Sequence, residues 1–199
     1  MKATKCWTTL LLTAGSALLG GCLGTSSPSR FYLLTPLDAT TVEATSAELD
    51  GPSVFLAAVE LPKHLLDPQI ATRIDRNELG FAEFDRWGEP LKDSFTRVLA
   101  RNLSLLLPDS QVTTFLWERP RQVDRLVTVV VTRFDAQGEE VVLSARWTVA
   151  GEELAAASTF KRSEYLQPVQ GEGYGAIVQS MSEALAALSR DIGAEIRSR

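Results

Sequence analysis

Apolar residues recur along this chain with two distinct periods. From Val141 to Val149 the apolar set Val141, Leu143, Ala145, Trp147 and Val149 alternates with Val142, Ser144, Arg146 and Thr148. Period two is the signature of a strand with one buried face. Residues 125–134 read the same way, with Val127, Val129 and Val131 on one face and Leu126, Val130 and Phe134 on the other. Asp135-Ala136-Gln137-Gly138 is the predicted turn between these two strands, and Gly151 turns the chain again toward a strand over 154–165. A strand over 111–117 precedes the group, and the hairpin spacings predict an antiparallel meander. Trp147 falls on the apolar set and is assigned to the core.

Two stretches switch to the helical period. Leu91, Phe95, Val98, Leu99, Asn102 and Leu106 form one stripe at spacings of three and four, with Asn102 its polar exception. Gly88-Glu89-Pro90 opens this helix, since proline fits a first turn whose N–H groups have no partner anyway, and Pro108 stops it. A longer stripe runs through Tyr174, Ile177, Val178, Met181, Leu185, Leu188, Ile192 and Ile196. Further upstream, 31–34 is a short strand and Val54–Leu61 a strand apolar on both faces. Short strands follow at 69–74 and within 77–87, and 36–53 is a loop without periodicity. The predicted fold is α+β, with a mostly antiparallel but mixed β-sheet and two long amphipathic helices packed on one face.

The N-terminus carries a different signal. Lys2 and Lys5 precede Cys6–Gly21, 16 residues without charge. That is shorter than the roughly 20 residues needed to span a bilayer, and suits the apolar core of a secretory leader. The stretch ends in Leu19-Gly20-Gly21-Cys22, which resembles the lipobox of bacterial lipoproteins: an aliphatic residue, two small residues that admit a peptidase, and a cysteine whose sulfur accepts a diacylglyceryl group. Residues 1–21 are accordingly predicted to be a signal peptide, 22–30 a lipidated linker beginning at Cys22, and 31–199 one α+β domain. Leu23, standing where an aspartate would retain the protein at the inner membrane, favours the periplasmic face of the outer membrane; anchoring to the inner membrane is the alternative.

The 199 residues are 45% apolar and 23% charged, as in a packed globular chain, with a net charge of −5. Loss of the leader removes Lys2 and Lys5 and no acid, taking the charge to −7. A chain without basic excess is a poor ligand for nucleic acid. Two cysteines and one histidine, His64, cannot form a Cys/His zinc site alone, and removal of Cys6 leaves Cys22 without an intramolecular disulfide partner. Neither a G-x-S-x-G elbow nor a phosphate-binding loop is present. No catalytic residue, metal ligand or cofactor is therefore assigned. The segment Arg86-Trp87-Gly88-Glu89 is the candidate partner contact, with Arg86, Trp87 and Glu89 as its residues. It lies at a strand-to-helix junction and combines a cation, a large aromatic and an anion. The rival role for Trp87 is support beneath the helix.

Several segments in order resemble the PqiC family of ABC-type transport auxiliary lipoproteins. They are Phe31-Tyr32-Leu33-Leu34, Val59-Glu60-Leu61-Pro62, Leu65 through Arg73, Asn77-Glu78-Leu79, Arg86-Trp87-Gly88-Glu89-Pro90-Leu91 and Arg97 through Leu103. Leu66-Asp67 replaces the Asp-Arg that the family carries before its proline. The resemblance implies a non-enzymatic lipoprotein held to a membrane by its lipid and working with MCE-domain periplasmic proteins in lipid transport, alongside an inner-membrane permease or PqiA-like protein. It leaves homo-oligomerisation open. Two other classes compete with it: an assembly factor of another outer-membrane machine, LptE-like, and an exported hydrolase without a recognisable motif.

Overall fold

The computed structural model describes residues 27–38, 50–57, 59–114, 123–151 and 160–198. The leader, Cys22, most of the linker, Trp117 and the start of the 154–165 strand lie outside these residues. Among the described residues, eight strands form one mixed sheet: β1 (Arg30–Tyr32), β2 (Val54–Leu56), β3 (Gln69–Arg73), β4 (Leu79–Trp87), β5 (Val112–Thr113), β6 (Arg125–Gln137), β7 (Glu140–Ala150) and β8 (Lys161–Pro168). Two helices, α1 (Leu91–Leu106) and α2 (Gly173–Arg197), pack against each other, and α2 crosses β6, β7 and β8. The α+β class read from the sequence is the observed one.

β6 organises the sheet. β7 pairs antiparallel along its whole length, from Leu126↔Ala150 to Gln137↔Glu140, and β8 pairs with β7. On the other edge of β6, β2 and β3 follow one another in parallel, β2 at Arg125–Val127 and β3 at Ala136–Gln137. Pro62 and a single 3₁₀ turn at Lys63–Leu65 separate them. β4 then pairs antiparallel with β3, and β1 pairs parallel with β4. The predicted strand at Val54–Leu61 is regular only to Leu56. It rejoins β6 at Glu60, bridged to Val130. β5 pairs parallel with β2 instead of joining the meander.

A β-bulge corrects the face assignment of β6. Val131 stands opposite Ala145, but Arg133 stands opposite Ser144, which leaves Thr132 as the extra residue. One inserted residue reverses the side-chain parity beyond it. Phe134 and Ala136 therefore join Val127, Val129 and Val131 on the helix-covered face, and Phe134 does not lie with Leu126 and Val130. Its ring meets that of Phe95 in α1 edge to face, with centroids 5.4 Å apart. The strand also runs to Gln137, past the predicted turn at 135–138. The reversal takes two residues, with Gly138 at φ +60°, where a Cβ would be strained.

Both helical stripes face the core. Leu91, Phe95, Val98, Leu99 and Leu103 of α1 are buried; Leu103 takes the place expected for Leu106, which is half-buried. Val178, Met181, Leu185, Leu188, Ile192 and Ile196 are buried on α2. Asn102 is also fully buried, and its amide is spent in two directions. Its Oδ1 accepts the Leu37 N–H at 2.8 Å, and its Nδ2 donates to Ser189 Oγ at 3.0 Å. Ser189 Oγ donates in turn to Leu185 O, and Ser182 Oγ accepts the Thr35 N–H. Residues 33–38 are thus strapped to the helix pair by polar contacts.

Asn102→Ala removes the acceptor of the Leu37 N–H and the donor to Ser189 Oγ, leaving both groups without that partner. The expected loss is about 1–3 kcal/mol, read as a lowered urea midpoint. An unchanged midpoint would mean that the strap holds without the amide.

Candidate docking site at the β4–α1 corner

The corner is built by two short strands in parallel register. Arg30 pairs with Asp85, Phe31 with Arg86 and Tyr32 with Trp87. Period two places Arg30 and Tyr32 on the side of Asp85 and Trp87. Asp85 is buried there, and its carboxylate accepts from the Arg30 guanidinium at 2.8 and 3.0 Å and from the Tyr32 hydroxyl at 2.7 Å. Desolvation raises the Asp85 pKa, but the bonds from Arg30 and Tyr32 outweigh it and hold the group below its ordinary value. The same bond to Asp85 raises the Tyr32 pKa.

The opposite side of β1 points outward. Phe31 is 66% exposed and Leu33 49%, whereas Leu34 is buried. Leu33 lies over Gly88, whose Cα leaves 3.2 Å between an ideal Cβ and Leu33 Cδ2. The Gly88 N–H donates to Tyr32 O and the Trp87 N–H to Pro68 O, both at 2.8 Å. The chain then enters α1, where Arg97 donates to the carboxylate of Glu89. That bond depresses the Glu89 pKa.

Of the candidate partner residues, Trp87 lies in the core at 6% exposure, Glu89 is half-buried and tied to Arg97, and Arg86 is half-buried. The Nε of Arg86 is buried without a hydrogen-bond partner among the described residues. Phe31 and Leu33 stand in the sequence only as part of an apolar strand motif, and Arg30 and Asp85 carry no motif of their own. Phe31-Tyr32-Leu33-Leu34 is apolar throughout, so no alternation marks which of its side chains face outward, and no local pattern announces the Arg30–Asp85 pair, 55 residues apart. The corner offers apolar side chains, guanidinium groups and a carboxylate on a rigid strand-to-helix junction, which is equipment for recognition. Among the described residues no three His, Cys, Asp or Glu gather as metal ligands, and no helix is long and apolar enough to cross a membrane.

The family profile of ABC-type transport auxiliary lipoprotein components matches residues 32–193, from within β1 to the last turns of α2. The chain belongs to this family. The PqiC-type resemblance of its motifs agrees with that assignment. Two crystal structures share the auxiliary lipoprotein's fold. An uncharacterized protein, 20% identical, superposes with a TM-score of 0.70 over 85% of this chain and 99% of its own. A Xanthomonas campestris protein of the DUF330 family, 14% identical, superposes with a TM-score of 0.65 over 83% of this chain and 93% of its own. No curated protein matches the chain in sequence.

The depressed Asp85 pKa sets a pH dependence for the corner. Its contribution to stability is complete above the unfolded carboxylate value near 3.9 and is lost as pH falls through the lower folded value. Amides of β1 should therefore stay protected from pH 7 to about 4 and lose protection below. Asp85→Asn should remove that step and cost about 1 kcal/mol at pH 7, a modest figure because Arg30 is well exposed. Acid-independent protection in the wild type would contradict the assignment.

Proposed function

We propose that this protein is a non-enzymatic docking component of an MCE-type lipid-transport system, anchored through a lipidated Cys22 to the periplasmic face of the outer membrane. The observation that carries the reading is the match of an ABC-type transport auxiliary lipoprotein family to nearly the whole folded region. The leader ending in Leu19-Gly20-Gly21-Cys22 supports the anchor, and Leu23 supports the outer membrane. The partner in this reading is an MCE-domain periplasmic protein, linked in turn to an inner-membrane permease or PqiA-like protein. Docking is assigned to the β4–α1 corner. Arg86 and Glu89 meet the partner, and Trp87 acts from the core by fixing the backbone between them.

Affinity purification of the tagged lipoprotein from solubilised envelopes, with mass spectrometry, tests this directly. An MCE-domain protein should be captured. Arg86→Ala combined with Glu89→Ala should change stability by no more than about 1 kcal/mol and leave processing intact, yet lose most of the captured partner. Cys22→Ser should leave an unprocessed precursor at the inner membrane. Full capture by the folded double variant would refute the docking residues, and capture of a different outer-membrane machine would refute the transport role.

A further inference from the structure

Phe31 in β1 and Leu33 just past its end are two of the large apolar side chains open to solvent, at 66% and 49% exposure, and both face outward from this edge. Arg86 is the register partner of Phe31, and Arg30, on the other side of β1 and bound to Asp85, keeps its side chain 65% exposed at the same edge. An aromatic and an aliphatic side chain beside guanidinium groups match the chemistry of a bilayer interface. Apolar side chains enter the acyl boundary there, while arginines stay with the headgroups.

Position along the chain selects the occupant. Phe31 lies nine positions after Cys22, a reach of roughly 30 Å when fully extended. An acylated Cys22 therefore confines this edge to a shell one linker thick above the membrane. Two exposed side chains are too few to recruit a free domain, but tethering raises their effective concentration at the surface. A weak contact then orients the domain without having to hold it.

We propose that the β1 edge, through Phe31 and Leu33, rests in the interface of the bilayer that anchors the protein; this rests on the lipidation of Cys22 proposed above. Strand order β1-β4-β3-β6-β7-β8 puts Leu166 on the far edge, about 24 Å away at about 4.8 Å per strand. Leu166 is itself 53% exposed, so it serves as an apolar site that the proposal keeps off the membrane.

The test uses the full-length, processed protein reconstituted into phosphatidylethanolamine–phosphatidylglycerol vesicles containing doxyl-labelled lipid. The environment-sensitive dye NBD is attached singly at Phe31→Cys, Leu33→Cys or Leu166→Cys. With the leader removed, the only native sulfhydryl is that of Cys22, which is blocked by acylation. The first two positions should shift to the blue on reconstitution and be quenched by doxyl lipid at least about threefold more than the third. Equal quenching at all three would overturn the proposal. So would a blue shift at positions 31 and 33 that is already present in detergent and insensitive to doxyl lipid, since it marks a protein occupant. Mass analysis of the N-terminal peptide separates the two claims. Without acyl groups on Cys22 the lipoprotein reading fails; with them, equal quenching defeats only the bilayer contact.

Discussion

The side-chain amide of Asn102 joins three stretches of chain that lie far apart in sequence. A primary amide buried without partners costs several kcal/mol in an apolar environment. Here the oxygen takes the Leu37 N–H and the nitrogen gives to Ser189, whose hydroxyl is passed to the Leu185 carbonyl. With Ser182 holding the Thr35 N–H, the strap at 33–38 has one seat against α1 and α2. The position of β1 follows, because it ends one residue before the strap. Once β1 is seated, Tyr32 and Leu34 must turn inward, and Phe31 and Leu33 outward.

The sheet shows a second regularity. Its long pairings are antiparallel, while the parallel joints of β1, β2 and β3 pair only two or three residues in register. The joints to β4 and β6 each carry an aspartate. Asp85 ties β1 to β4 through Arg30 and Tyr32. Asp135, fully buried, ties β3 to β6 by binding Arg73 at 2.9 Å, and it also binds Arg133. Asp124 accepts both the N–H and the hydroxyl of Ser53 where β2 meets β6, which lowers its pKa. Charge-assisted bonds at these points replace the ladder bonds that the short pairings do not supply.

These features divide what could be read from the sequence. Periodic burial was legible: the apolar set of β7 and the two helical stripes are in the core, with Trp147 2% exposed, although Val142 and Thr148 of the alternate set in β7 are buried as well. Asn102 stood out as the polar member of an apolar stripe, and its two long-range bonds explain why it is tolerated there. What no periodicity encodes is a change of register. The bulge at Thr132 moved Phe134 to the other face, and Asp135 proved to be a buried strand residue instead of a turn. The parallel partners of β2, β3 and β5 were also hidden, since a strand's own pattern does not name its neighbour. At the corner, Trp87 has a core position, and the outward Phe31 comes from β1, 55 positions before its register partner Arg86 in β4.

Polar bonds to the helix pair fix the strap, and through it the β1 edge. Native-state hydrogen exchange of the Thr35 and Leu37 amides tests this most directly. Both should exchange only through global unfolding, with the same protection as the central β6 amides. Exchange of Leu37 at the rate of a frayed surface segment, while β6 stays protected, would contradict it.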